Sequence, residues 1–285
     1  MGLIGAAGFS VELNDKEYYL FAELIYQLSG IQLGENKKEL MKARLMKRMR
    51  FHGFSTFKEY YKYVIDDASG AELEQLLNAI STNVSHFMRE GQHFRYLADT
   101  AIPNILSTKK DNRLHIWSCA CATGEEVYSI AITLLEHCKI PSHIDIKVLG
   151  SDISTKALQA AKEAKYDVLK LREVPKDIFA KYFLPCSSEA ARGNCYRVAP
   201  KVREKAFFAR LNLMGDAFPF KFKFDVIFCR NVMIYFDRDT QYRLIEKLYR
   251  YLADDGYLFI GHSESLFGIQ TKFKSVAPAV LQKLK

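Results

Sequence analysis

Leu114-His-Ile-Trp-Ser-Cys-Ala-Cys-Ala-Thr-Gly-Glu-Glu-Val-Tyr-Ser129 is the stretch that decides the fold. An apolar strand there runs into small residues, one glycine and two carboxylates before a helix begins, an order suited to holding a nucleoside. Further along, Ile146-Lys-Val-Leu-Gly-Ser-Asp-Ile153 repeats the strand pattern and stops on an acid, the place where an open α/β sheet binds ribose hydroxyls. A third strand, Phe224-Asp-Val-Ile-Phe-Cys-Arg-Asn-Val-Met-Ile-Tyr235, ends in polar groups at the same edge, so three strand ends converge on one crevice.

Outward from that crevice, strands alternate with helices from about Leu114 on, the signature of a parallel sheet covered on both faces. Strands are expected at 114–118, 146–151, 205–211, 224–229 and 256–262, with a further one near 277–284. Between the second and third of these, the segment from Lys181 to Val202 contains a Gly193-Asn194 turn flanked by short β-prone pieces. It reads as a small antiparallel insertion. Gly256 to Gly261 and Val276 onward suggest a closing hairpin with an antiparallel last strand, an ending common in sheets that bind S-adenosylmethionine.

The first eighty or so residues are helical in pattern throughout. Asp15 or a near neighbour caps a helix running through Ile25 and Leu28, Gly30 stops it, and Ser55-Thr-Phe-Lys-Glu59 offers a capping signal for a later one. Tyr60, Tyr61 and Tyr63 are expected to supply aromatic surface, and Ala71 to Ile80 closes a small bundle. Between them, Lys37-Lys-Glu-Leu-Met-Lys-Ala-Arg-Leu-Met-Lys-Arg-Met-Arg50 sets Leu40, Met41, Leu45 and Met49 near helical spacing, with lysine and arginine over the rest. This basic amphipathic helix is either a solvated face or a dock for an acidic partner.

Composition bounds the reading. At 285 residues, 49% hydrophobic and 26% charged, with a net charge of +8, the chain can bury one full core and carry a smaller accessory domain. No apolar run approaches the roughly 18 residues of a membrane span, and no signal core follows a charged start, so a soluble, cytoplasmic protein without membrane insertion is expected. The six cysteines (Cys119, Cys121, Cys138, Cys186, Cys195 and Cys229) have no framework spacing, and reduced thiols are expected. Cys119 and Cys121 lack a second Cys/His pair at zinc-ligand spacing, so no metal is expected there.

Five ordered motifs, Asn83-Val-Ser-His-Phe-Met-Arg-Glu90, Trp117 to Glu126, Gly150-Ser-Asp-Ile153, Phe228 to Asp237 and Gly261-His-Ser-Glu264, resemble those of CheR-type chemotaxis receptor methyltransferases. The resemblance runs from about residue 18 to the C-terminus. It implies an all-α N-terminal domain over residues 1–82. It further implies a class I S-adenosylmethionine-dependent methyltransferase (Rossmann-like) domain over 83–285, with an inserted antiparallel β-subdomain at about 181–204. The activity it implies is transfer of a methyl group to glutamate carboxylates on the cytoplasmic helices of methyl-accepting chemoreceptors, leaving S-adenosylhomocysteine. Cofactor contacts carried over by position fall on Asn83, Ser85, Arg89, Glu125, Asp152, Asn212, Leu213, Arg230 and Asn231. Ser85 keeps the hydroxyl of the family's frequent threonine. The resemblance also implies, for some members, a receptor C-terminal peptide held by the β-subdomain.

The residues themselves speak unevenly. Asp152 can accept two hydrogen bonds from vicinal hydroxyls or cap a helix. Glu125 and Glu126 each suit a helix N-terminus, and only the resemblance selects Glu125. Arg89 can clamp a carboxylate, and with Tyr235, which follows the third strand, it is the candidate catalytic pair. A glutamate of ordinary pKa near 4.3 is already ionised at neutral pH, so no catalytic His or Cys is required. A nucleic-acid methyltransferase would explain the charge, but no RNA-binding module or Asn-Pro-Pro-Tyr type motif is present, and no nucleic-acid partner is expected. A non-catalytic cofactor-sensing adaptor would lose the substrate-facing groups, yet Arg89, Asn231 and Tyr235 are all retained. Nothing demands more than a monomer.

Overall fold

The computed structural model describes residues 11–186, 194–266, 268 and 271–284. It divides into two compact units, Met1–Ser81 and Thr82–Lys285. The first holds α1 (Asp15–Ser29), α2 (Lys38–His52), α3 (Phe57–Asp66) and α4 (Ala71–Ile80). Asn14, rather than Asp15, caps α1 through a reciprocal box with Glu17, and Gly30 ends it in the left-handed region. Thr56 and Glu59 form the same box on α3. Tyr18, Phe21, Ile25, Met41, Leu45 and Met49 lie in the core of this unit together with Phe57, Tyr60 and Val64. Tyr60 is therefore core rather than aromatic surface, because it shares the i, i+3, i+7 stripe of Phe57 and Val64.

Its hydroxyl donates at 2.7 Å to Glu72, a buried carboxylate that also receives Arg48 Nε at 2.9 Å and Nη2 at 2.6 Å. His52 Nε2 lies 2.9 Å away. Burial pushes the Glu72 pKa up, but the hydrogen bonds from Arg48, Tyr60 and His52 outweigh it and hold the carboxyl below its ordinary value. A depressed folded-state pKa contributes stability that is present above the unfolded value and lost as pH falls through the folded one. Glu72→Gln is accordingly expected to cost about 3 kcal/mol in urea unfolding at neutral pH, with the deficit shrinking below about pH 4. A deficit unchanged by acid would refute this wiring.

The second unit contains α5 (Gln92–Tyr96), α6 (Ile102–Thr108), β1 (Arg113–Ser118), α7 (Glu125–His137), β2 (Asp145–Asp152), α8 (Thr155–Glu163) and β3 (Lys165–Asp167). After these come α9 (Lys176–Tyr182), β4 (Phe183–Pro185), β5 (Cys195–Val198), α10 (Pro200–Arg203), β6 (Ala206–Arg210) and β7 (Phe224–Cys229). The chain closes with α11 (Arg238–Tyr251), β8 (Leu252–Ile260), β9 (Phe273–Ala277) and β10 (Val280–Lys283). Seven strands form one sheet in the order β6-β2-β1-β7-β8-β10-β9. All its pairings are parallel except those of β10 with β8 and with β9. The chain leaves β1 toward β2 and β6 and returns to β7 on the other side of β1, so the switch point lies between β1 and β7, where such sheets bind ligands.

Two expectations about strands need correction. The last strand expected near 277–284 is β10, antiparallel to β8, but a further strand, β9, precedes it and forms the hairpin with it across Pro278-Ala279, where Ala279 takes φ +56°. The small sheet, ordered β3-β5-β4, recruits Lys165–Asp167 from well before the expected insertion. Three residues are too few to register as a strand by periodicity. The proposed turn residue Gly193 lies outside the described residues. Reduced thiols are also overturned at one pair. Cys186 and Cys195 form a disulfide with Cα atoms 5.5 Å apart, beside a backbone bond from Cys186 N to Cys195 O. The antiparallel β4–β5 register brings the two within bridging distance.

Candidate active site

Three backbone kinks shape the crevice. Ala122 at φ +47° and Gly124 at φ +93° turn the chain from β1 into α7. A Cβ on Gly124 would lie 2.8 Å from the Ala161 Cβ and 3.0 Å from the Tyr166 hydroxyl, so glycine is needed for both backbone and space. Asn231 at φ +57° turns the chain after β7. The segment before α5 bends at Met88 and Glu90, both at φ +58°, and is pinned where Met88 N donates to Ser129 Oγ at 3.0 Å. Sparsely populated backbone conformations of this kind gather at functional sites.

At the end of β2, Asp152 is buried, and each carboxylate oxygen accepts one backbone N–H: Oδ2 from Ala122 and Oδ1 from Ser154, both at 2.9 Å. Burial pushes its pKa up while these amides pull it down. The residue thereby fixes the β1 turn and keeps lone pairs for further donors, while the cap of α8 is Ser154, whose Oγ accepts Ala157 N at 3.1 Å, and not Asp152.

Glu125 is fully buried at the start of α7; its Oε1 accepts from Thr123 Oγ1 at 2.6 Å and from Lys170 Nζ. Its Oε2 has no partner among the described residues. A buried carboxylate oxygen left unpaired is costly, and a donor from a bound nucleoside or amino group would satisfy it. Glu126 points elsewhere, accepting from Ser118 Oγ at 2.7 Å and Arg230 Nη1 at 2.9 Å.

Arg230 is enclosed. Besides Glu126, it donates through Nη2 to the Arg89 carbonyl at 2.6 Å and lies 3.0 Å from Glu90 Oε2. It therefore ties the linker, the β1 turn and the end of β7 together. Asn231 Nδ2 reaches Glu90 Oε1 at 3.3 Å. Asn83, Ser85, Arg89 and Tyr235 are half-buried, and among the described residues no hydrogen bond joins Tyr235 to Arg89. Asn212 braces its own loop, its Oδ1 accepting Met214 N at 3.0 Å, while buried Lys247 donates to the carbonyls of Leu213, at 2.7 Å, and Gly215.

Sequence reasoning assigned no role to Glu264, Lys247, Lys170 or Glu90. Glu264 is buried and accepts four backbone amides: Gly261 at 2.6 Å and Asn231 at 3.0 Å on Oε2, Val232 at 2.9 Å and Met233 at 2.8 Å on Oε1. A Cβ on Gly261 would sit 2.6 Å from Asn231 Nδ2 and 2.9 Å from Glu264 Oε2. The Gly261-His-Ser-Glu264 motif was the available signal, since it holds both the acid and one of the amides that donate to it. Cys119 and Cys121 are buried, and burial pushes both thiols well up, so they remain protonated.

A doubly wound sheet with an antiparallel last strand, an acid ending β2 and an unsatisfied carboxylate oxygen at the first turn defines a class I S-adenosylmethionine-dependent methyltransferase. Residues 83–280 match the model of the CheR methyltransferase S-adenosylmethionine-binding domain, and residues 16–81 match that of the CheR methyltransferase all-alpha domain. The chain belongs to the CheR methyltransferase family. It is 34% identical to a chemotaxis protein methyltransferase of Borreliella burgdorferi, over 96% of each chain. Chemotaxis protein methyltransferase 2 of Pseudomonas aeruginosa is 36% identical over 93% of this chain and 92% of its own. The chemotaxis protein methyltransferase of Escherichia coli is 34% identical over 92% and 88%. Among the described residues no helix is long and apolar enough to cross a membrane.

Proposed function

We propose that this enzyme methylates glutamate side chains of chemoreceptors, with Asp152, Glu125, Asn83, Ser85, Arg89, Asn212, Leu213 and Asn231 lining the cofactor site. The observation that carries this is the convergence of Asp152, the unpaired Glu125 oxygen and the Arg230-braced linker on the β1–β7 switch point. S-adenosylmethionine supplies an electrophilic methyl on a sulfonium. The ionised carboxylate oxygen of the receptor bonds to that carbon as the carbon–sulfur bond breaks, and its electron pair stays on sulfur, giving a methyl ester and S-adenosylhomocysteine. Opposite charges cancel on the way, so a cleft of low polarity favours the transition state, and the protein's task is alignment. Arg89 and Tyr235 orient the incoming carboxylate. Unchanged single-turnover transfer in Arg89→Ala at saturating substrates would remove Arg89 from that role. Arg230 is assigned a bracing role, because its guanidinium is already committed to protein acceptors.

The receptor is held by remote contacts. On α2, Lys38, Lys42, Arg44 and Arg48 are engaged with Asp15, Glu12, the Ile80 carbonyl and Glu72, whereas Lys47 and Arg50 are exposed. Those two are the docking cations for acidic receptor helices, and Arg48 is unsuitable for a binding test because its loss strands Glu72. Lys47→Glu/Arg50→Glu is expected to weaken receptor binding roughly tenfold at low salt, with methyl transfer per bound complex retained. Equal loss in both measurements would contradict docking by α2. In the small sheet, β3 and β4 are edges, suited to strand addition by an extended receptor tail. Beside them a cavity of about 330 Å³ is lined by Lys165, Arg197 and Arg203, with no carboxylate among the described residues, which favours an acidic peptide.

A further inference from the structure

Glu90, His93 and His262 bring one ligand atom each to within 4.8 Å of one another, a grouping met once among the described residues. His93, on α5, is 1% exposed, and neither ring nitrogen makes a well-formed hydrogen bond, the Pro278 carbonyl being near the ring but poorly placed to accept from it. Buried polar groups normally find partners, so a buried imidazole without them calls for an explanation. Its Nδ1 faces Glu90 Oε2 at 3.5 Å, and His262 Nε2 faces the same oxygen at 4.0 Å. The two imidazoles meet edge to face with centroids 4.7 Å apart.

We propose that Glu90, His93 and His262 form a binding site for a divalent transition-metal ion of zinc type. Two imidazoles and one carboxylate, with water completing the shell, are the donor set of an open zinc site. Zinc–ligand bonds of about 2.0–2.1 Å place tetrahedral ligand atoms about 3.3–3.4 Å apart. The His93–Glu90 spacing already meets this, and the His262 side chain, 41% exposed, is free to close the remainder and leaves an entry path from solvent. Imidazole donors disfavour magnesium and calcium, which take oxygen ligands.

Arg230 is the competing cation, since its Nη2 lies 3.0 Å from Glu90 Oε2. An ion at Glu90 does not strand it, because Arg230 keeps Glu126 and the Arg89 carbonyl. Glu90 would in turn keep Asn231 Nδ2 on its other oxygen, the outer-shell support that orients a ligating carboxylate. Metal binding therefore links the segment before α5 to the loop after β8 along the crevice wall.

Titration of the full chain with Co²⁺, followed by visible absorption, reads the site directly. The expected result is one zinc-displaceable d–d signal without a thiolate charge-transfer band, unaffected by excess Mg²⁺. His262→Gln alters a solvent-facing side chain and is expected to weaken binding by about tenfold or more, as is His93→Gln in protein that retains its native circular dichroism. His143→Gln, at an exposed position outside the cluster, is expected to leave the signal intact. Absence of the signal in the unaltered chain, its persistence in His262→Gln, or a thiolate band would overturn the proposal.

Discussion

Asp152→Ala is expected to weaken S-adenosylmethionine binding by a hundredfold or more, read by calorimetric titration. On the proposed assignment the carboxylate takes two ribose hydroxyls, and hydrogen bonds to a charged group contribute about 1.5–3 kcal/mol each. About 1.4 kcal/mol is a factor of ten in affinity. The substitution also releases Ala122 N, which Asp152 holds at 2.9 Å, so the turn between β1 and α7 should loosen. Faster amide exchange at Ala122 in the variant would show that part separately. Affinity within threefold of the parent would remove Asp152 from the cofactor site.

Glu264→Gln is expected to damage both stability and turnover. Each carboxylate oxygen accepts two backbone amides, and glutamine has one carbonyl oxygen, so its NH₂ must face either Val232 and Met233 or Asn231 and Gly261. Donor facing donor leaves at least two buried amides unpaired, at about 1–3 kcal/mol each. The turn after β7 carries Asn231 and leads to Tyr235, so kcat should fall tenfold or more while cofactor affinity changes less. Burial raises the pKa of Glu264 despite the four amides. A raised folded-state pKa adds stability at low pH that is lost as pH rises through the folded value. Acidification should lower turnover above the range of an ordinary glutamate, since protonation sets an O–H against the amide donors as the glutamine NH₂ does. A variant with parental kcat and melting temperature would refute the clamp.

The α/β alternation was legible because strand and helix periods differ over long segments, and the crevice because three strands end on small or polar residues. What escaped was set by distant partners. Arg48 reads as one cation in a basic run until Glu72, far off in the chain, is seen to receive it. Glu264 stood in a quoted motif, but three of the four amides that donate to it lie after β7. The Cys186–Cys195 bridge depends on a strand register that spacing does not reveal. Tyr60 belongs to the core because the stripe it shares with Phe57 and Val64 outweighs the cluster of neighbouring tyrosines, a pattern present in the sequence itself.

Carboxyl methylation of receptors leaves a chemical signature, an ester that mild base cleaves. Membranes carrying chemoreceptors are incubated with the enzyme and methyl-labelled S-adenosylmethionine, and the labelled bands are then exposed briefly to mild alkali. Label on receptor bands that leaves as methanol is the predicted result, since esters are base-labile. Alkali-stable label, or label that reaches RNA and not receptors, would rule out carboxyl methylation of receptors by this enzyme.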